Sequence, residues 1–296
     1  MKKFIQYLLA TIVSVLIIMT VLDLVYTYGY IHAKPRNKVQ YILKLKNKKI
    51  DYGFLGSSRV DNHIVTKMVE KATGGTAINL GVQGGKLDVT YLILQLLLDN
   101  NVQFKKLFIE IDYNYNIEGN SNFFKAETLP YIRNNSIINT FQKKNNPDYF
   151  LCYYLPFYRY ASNDYKIGFR EFFNSTTSKH STENFADGFN PRKEPFHDKG
   201  YTLPKTINKS NKMLDNIDRL CKEKHIDVTY FCAPFCSQVA TSDYPEKLQQ
   251  KIPNFKNYSK TLLDQKYYVN CGHLNEDGAK LFTKILIDDC ILKPSK

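Results

Sequence analysis

Ile50-Asp51-Tyr52-Gly53-Phe54-Leu55-Gly56-Ser57-Ser58-Arg59 decides the fold, because a β-rich apolar run ends there in a glycine and two serines. The run predicts a buried strand over 51–56. Open α/β sheets place their ligands beyond the carboxyl ends of such strands, and Ser58 falls at that edge. A serine hydroxyl attacks only when a base takes its proton, and a histidine distant in sequence can be adjacent in space. His273, in His273-Leu274-Asn275 ahead of a predicted helix, is the candidate base. Ser58 itself also suits a helix cap, and Ser57 is the neighbouring serine to exclude as nucleophile.

Outward from this stretch the pattern alternates. A helix is predicted over about 60–73, a short strand over 76–80 and an amphipathic helix from Leu87 to about Asn100. Leu107 to Asp112 reads as a third strand, Asn208 to Lys224 as a helix and Ile226 to Cys232 as a fourth strand. Pro234 opens a loop; a last strand at about 266–269 and a helix from Asn275 to Asp288 follow. Repeated βα units predict a parallel sheet covered by helices on both faces, a flavodoxin-like three-layer α/β/α domain. Residues 115–205 break the rhythm after the third strand. They are rich in Tyr, Phe and Asn, with turn signals at Asn146-Pro147, Asp187-Gly188 and Asn190-Pro191. Two readings of this insertion stand: a lid or sugar-binding wall over the site, or a segment whose aromatics pack its own small core.

Three ordered blocks give the chain a family resemblance. Gly56-Ser57-Ser58 resembles the first block of the SGNH (GDSL-type) hydrolase superfamily, Ile78-Asn79-Leu80-Gly81-Val82-Gln83-Gly84-Gly85 the second, and His273-Leu274-Asn275-Glu276-Asp277-Gly278-Ala279 the last. Leu107 to Asn114 is similar to the third strand and its exit loop. The resemblance covers residues 48–116 and 206–288. It implies that Ser58 is the nucleophile and His273 its base. It further implies that the backbone N–H groups of Ser58 and Gly84 and the side-chain amide of Asn114 hold the oxyanion. It implies a serine esterase or O-acyltransferase acting through an acyl-serine on an acylated envelope glycan, as in membrane-anchored envelope polysaccharide O-acyltransferases and esterases. A membrane acyl-donor protein is an expected partner if transfer is the reaction; hydrolysis and transfer share the intermediate and stay open here. The chemistry requires no metal and no organic cofactor.

Two positions depart from the family pattern. Tyr115 stands where an aspartate usually follows the asparagine, and Asn270 occupies the place of the triad aspartate, three residues before His273. Asparagine can accept the imidazole N–H bond but brings no charge. In the serine-protease example of this change, turnover falls about 10⁴-fold. Three outcomes stay open: a Ser-His dyad enzyme, a carboxylate supplied from elsewhere, or a binding or assembly factor that has lost catalysis. Arg59 reads either as an anchor for an acidic substrate group or as a partner in local ion pairs. His63 with Asp61 reads either as a second acid-base pair or as structural. Gly84-Gly85-Lys86 lacks the spaced glycine and the Ser or Thr of a phosphate loop.

The amino terminus predicts a membrane anchor. After Lys2 and Lys3 no charge occurs before Asp23, and Phe4 to Tyr26 is long enough to cross a ~30 Å hydrocarbon core. The exit, Tyr26-Thr27-Tyr28-Gly29-Tyr30-Ile31, is aromatic where a cleavage site requires small residues, so an uncleaved anchor over 1–30 and a domain over 31–296 are expected. Basic residues flank both ends, at Lys2 and Lys3 and at Lys34, Arg36 and Lys38; the resemblance implies an extracytoplasmic domain on the cytoplasmic membrane. The net charge of +13 suits an acidic polymer or an anionic bilayer, or merely a solvated lysine-rich surface. No basic helix, zinc-finger spacing or aromatic-basic motif accompanies it, which disfavours nucleic acid. The six cysteines show no compact framework, and their redox state is open. Cys221, His225, Cys232 and Cys236 overlap zinc-ligand spacings, but the predicted strand at Val228 to Phe231 separates the two halves of the set.

Overall fold

The apolar run becomes strand β1 (Lys49–Leu55) in the computed structural model, which describes residues 1–117, 122–177, 179, 181, 183–197, 201–239 and 242–292. The other strands of its sheet are β2 (Ala77–Asn79), β3 (Gln103–Glu110), β4 (Asp227–Cys232) and β5 (Phe255–Asn257). All are parallel, in the order β2-β1-β3-β4-β5. This is the doubly wound order whose direction reverses between β1 and β3, where a crevice opens beyond the strand ends. Phe54 lies opposite Asn79 on one side and Phe108 on the other, and the Phe54 and Phe108 rings stack at 5.0 Å. Consecutive Leu107, Phe108 and Ile109 are all fully buried, as a strand covered by helices on both faces requires.

Two sequence expectations change. The fifth parallel strand is 255–257, not 266–269. It has three residues and follows Pro253 and a left-handed Asn254 (φ 54°), so it carries no periodic signal. Tyr268–Asn270 (β6) instead pairs antiparallel with His273–Leu274 (β7) in a separate ribbon, a reversal that returns His273 to the side of Asn270. The helix expected over 60–73 is broken into Ser58–Asp61 and Thr66–Thr73. Asn79 supports the break by donating to the carbonyls of Val60 and Ile64 at 2.7 and 2.9 Å.

The chain forms two compact units, 1–44 with 122–182 and 45–121 with 183–296. The stretch 115–205 is therefore shared between them; its residues 118–121, 178, 180, 182 and 198–200 lie outside the described residues. In the sheet unit, the turn at Asp187-Gly188 covers the edge strand β2, with the Asn79 N–H donating to Asp187 O at 3.0 Å and Thr66 Oγ1 to the same oxygen at 2.9 Å. Covering a strand edge in this way removes a template for aggregation.

The other unit is helical. Its first helix runs Lys2–His32 and contains an uncharged stretch long and apolar enough to cross a membrane. Side chains from Phe4 to Leu22 are largely exposed, whereas Asp23, Tyr26 and Tyr30 are buried. Tyr26 stacks on Phe172 at 4.0 Å, and Tyr149, Tyr160, Leu129 and Ile132 complete the core around Tyr26 and Tyr30. Asp23 Oδ2 accepts from Arg133 at 2.6 Å and Arg159 at 3.1 Å, and Asp23 Oδ1 accepts from the Phe157 N–H at 2.9 Å. The last turns of the long helix are thus the centre of this unit, and the buried aromatics of 122–182 pack around them.

Candidate active site

The turn after β1 is built for close approach. Gly56 has φ +151°, and a Cβ there would lie 2.7 Å from Val60 and 2.9 Å from the Glu110 side chain. Ser57 takes the capping role: its Oγ accepts from the Arg59 N–H at 3.2 Å and donates to Glu110 Oε2 at 3.0 Å. Ser58 is left partly exposed, with its Oγ 2.8 Å from His273 Nε2. The two residues are 215 positions apart in sequence.

Asn270 fixes which nitrogen of His273 carries the proton. Its Oδ1 lies 3.0 Å from the Gly272 N–H, which can only donate, so the atom facing it is the carbonyl oxygen. The same oxygen sits 3.1 Å from His273 Nδ1, which must therefore be the protonated nitrogen of a neutral ring. Nε2 is then an acceptor facing the Ser58 hydroxyl, the arrangement a general base needs. Asparagine supplies the orienting half of the aspartate's work and omits the charge.

The three expected oxyanion donors leave adjacent strands at one end of the sheet. Among the described residues, the N–H groups of Ser58 and Gly84 and the side-chain amide of Asn114 make no hydrogen bond. Gly84 adopts φ +64°, and the loop carrying it is tied to the nucleophile turn by the Val82 N–H donating to Gly56 O at 3.0 Å. Asn114 lies in a 3₁₀ turn capped by Asp112, whose Oδ1 accepts the Asn114 N–H at 2.9 Å.

Arg59 faces inward, which corrects its reading as a substrate anchor. It is 2% exposed; its guanidinium donates to Asp112 Oδ2 at 3.1 Å and to the carbonyls of Ala233 and Pro234 at 2.6 and 2.7 Å, and lies 3.7 Å over the Phe235 ring. One cation thus faces two buried carboxylates, since Glu110 Oε1 is 3.6 Å away. Burial and the neighbouring Asp112 charge push Glu110 up to about 8, so Glu110 keeps its proton and the cluster avoids an excess negative charge. Glu110 and Asp112, absent from the sequence-based site, were signalled by two acids inside the apolar run Leu107 to Asp112.

His63 and Asp61 do not form an acid-base pair. Asp61 accepts from Gln83 Nε2 at 2.7 Å and Asn190 Nδ2 at 2.8 Å. His63 is fully buried, and its Nε2 accepts the Leu274 N–H at 3.0 Å, holding the residue after the candidate base. Desolvation, followed by the Arg59 charge, drives its pKa well below the usual histidine range, so it is neutral. On the other flank a disulfide joins Cys236, in the loop after β4, to Cys271, between Asn270 and His273. Arg59 holds the start of that same loop through Pro234 O, so the segments bearing Ser58 and His273 are cross-braced beneath the site. The Cys236–Cys271 bond also takes one sulfur out of the zinc-like set, and Cys152, Cys221, Cys232 and Cys290 are buried thiols.

No protein-family model matches the chain, and no curated protein matches it. Among solved structures, a chain from Streptococcus pneumonia provisionally described as a platelet activating factor is similar at 10% identity over 96% of this chain and 98% of that one, with a TM-score of 0.42. The fold and site together define an α/β protein with a five-stranded parallel sheet, a serine-histidine pair beyond its strand ends, and a long apolar amino-terminal helix.

Proposed function

We propose that this chain is an SGNH-type serine acyl esterase or O-acyltransferase, anchored in the cytoplasmic membrane and acting on ester-linked acyl groups of an envelope glycan outside it. The observation that carries the reading is the Ser58–His273–Asn270 chain, with hydrogen bonds of 2.8 and 3.1 Å and the imidazole tautomer set for base catalysis. In the reaction, Ser58 Oγ bonds to the acyl carbon while its proton passes to His273 Nε2. The N–H groups of Ser58 and Gly84 and the amide of Asn114 receive the oxyanion. Collapse breaks the ester C–O bond, the leaving oxygen takes the proton from His273, and an acyl-serine remains. Water or a sugar hydroxyl, deprotonated by His273, then attacks that ester and regenerates Ser58. The apolar helix and the charge of +13 support a site working beside a membrane on an acidic polymer.

A non-catalytic glycan-binding or assembly role is favoured by one feature, the missing charge at Asn270. Labelling of the full chain in detergent with a fluorophosphonate, read by intact mass, separates the two. The enzyme reading expects one adduct on the parent and none on Ser58→Ala or His273→Ala. A parent that stays unlabelled, together with an Asn270→Asp variant that also stays unlabelled, overturns it in favour of binding.

A further inference from the structure

The helical unit leaves apolar side chains in the open on the two short helices that flank the exit of the long helix. On Tyr149–Tyr154, Phe150, Leu151 and Tyr154 are 69%, 44% and 68% exposed; on Phe169–Thr176, Phe169 and Phe173 are 69% and 55% exposed. Each set is a face, because Phe150 and Tyr154 and likewise Phe169 and Phe173 are four residues apart, with ring centroids at 6.2 and 6.4 Å. The opposite sides of the same helices supply Tyr149, Cys152 and Phe172 to the core. Contiguous exposed apolar surface marks a partner or a membrane.

Position identifies the occupant. Residues 4–22 of the long helix rise about 28 Å at ~1.5 Å per residue, close to the ~30 Å hydrocarbon thickness. The next residue is Asp23, the first acid of the chain, and it is neutralised within the helical unit by Arg133 and Arg159. Both flanking helices are fastened at this level. Tyr153 O accepts from Arg133 at 2.6 Å, and Phe172 stacks on Tyr26. Aromatic side chains at this depth match the belt found where hydrocarbon meets headgroups. Exposed Lys143 and Lys144, just before the Tyr149–Tyr154 helix, and exposed Arg170, between the two phenylalanines, suit anionic headgroups.

We infer that the helical unit is itself a membrane-interface module, lying with the Phe150–Tyr154 and Phe169–Phe173 faces in the headgroup boundary of the bilayer that the long helix spans. The inference rests on that helix spanning the bilayer. It gives these aromatics a lipid partner in place of a sugar-binding wall.

The chain contains no tryptophan, so single substitutions report cleanly. Phe150→Trp, Phe169→Trp and Val13→Trp variants of the full chain would be reconstituted into phosphatidylcholine/phosphatidylglycerol vesicles with bromines at shallow or deep acyl positions. The inference expects Phe150→Trp and Phe169→Trp to lose most of their emission to shallow bromines and little to aqueous iodide, and Val13→Trp to be quenched by deep bromines. Quenching of Val13→Trp alone, with the other two open to iodide, overturns the interface module and leaves the anchor intact. Shielding of those two from both quenchers also overturns it, in favour of a second copy or a glycan on that face. If Val13→Trp escapes bromines as well, anchor and inference fall together.

Discussion

Replacing Asn270 by aspartate restores the charge that the candidate triad lacks. The new carboxylate would accept from the Gly272 N–H and His273 Nδ1, at the 3.0 and 3.1 Å now spanned by the amide oxygen. Opposite charges about 4 Å apart attract by ~4 kcal/mol at an effective dielectric of ~20. The position is 5% exposed, so desolvating the carboxylate offsets part of this, and its two donors recover some of the loss. A net gain of about 1–3 kcal/mol in the imidazolium-like transition state corresponds to a labelling rate roughly 5- to 150-fold higher. The second-order rate constant for fluorophosphonate labelling across pH measures it. The acid limb should also move to higher pH, because a nearby carboxylate favours the protonated imidazole. Asn270→Ala should fall about tenfold or more, since the ring loses both its acceptor and its tautomer control. Asn270→Asp no faster than the parent, together with Asn270→Ala as fast as the parent, would refute the claim that this residue orients the base.

Three other perturbations test the frame around the site. Cys236 and Cys271 are separated by 35 residues, for which loop entropy gives about 4 kcal/mol; a Cys236→Ala/Cys271→Ala variant should melt roughly 8–16 °C lower and label more slowly, and an unchanged Tm would remove the bond from the list of stabilisers. Glu110 is raised to about 8, so the native state holds a proton that the unfolded chain releases above about 4.3. Stability should therefore decline as pH rises from that value through about 8; Glu110→Gln should flatten the decline, as thermal unfolding across pH will show. His63 has the opposite sign: its lowered pKa means that the unfolded chain binds the extra proton, so stability should fall as pH drops through about 6.5. His63→Phe should remove that limb and slow labelling, because the Leu274 N–H is left unpaired at a cost of about 1–3 kcal/mol; unchanged labelling would show that His63 does not position the base.

Where sequence carried local physics, it was legible. The apolar runs around Phe54, Phe108 and Phe231 form the central strands, and the blocks ending at Ser58 and beginning at His273 meet at 2.8 Å. Long-range outcomes left weaker traces. β5 is too short to show a period, and β6 exists only because it pairs with β7. Arg59 beside the nucleophile reads either as a substrate anchor or as a partner in ion pairs, and its pairing is with two acids fifty-odd residues later that draw it inside. Nothing in the cysteine spacing singled out Cys236 and Cys271, since their pairing depends on where the loop after β4 ends. The division of 115–205 between two units likewise depends on which stretch finds Tyr26 and Tyr30.

The burial of Asp23, Tyr26 and Tyr30 sets where this chain can be cut. Trimming at residue 30, as for a soluble fragment, would strand the Arg159 guanidinium in an apolar core without its counter-ion and strip Phe172 of its stacking partner. The same dependence orders biosynthesis. The last turns of the long helix are made early, but their partners arrive only after β1 to β3 have been made, so Asp23 stays without its counter-ions until Arg133 and Arg159 are translated. Detergent-solubilised protein that keeps residues 23–30, and not one trimmed at residue 30, is the form in which this helical unit can complete itself.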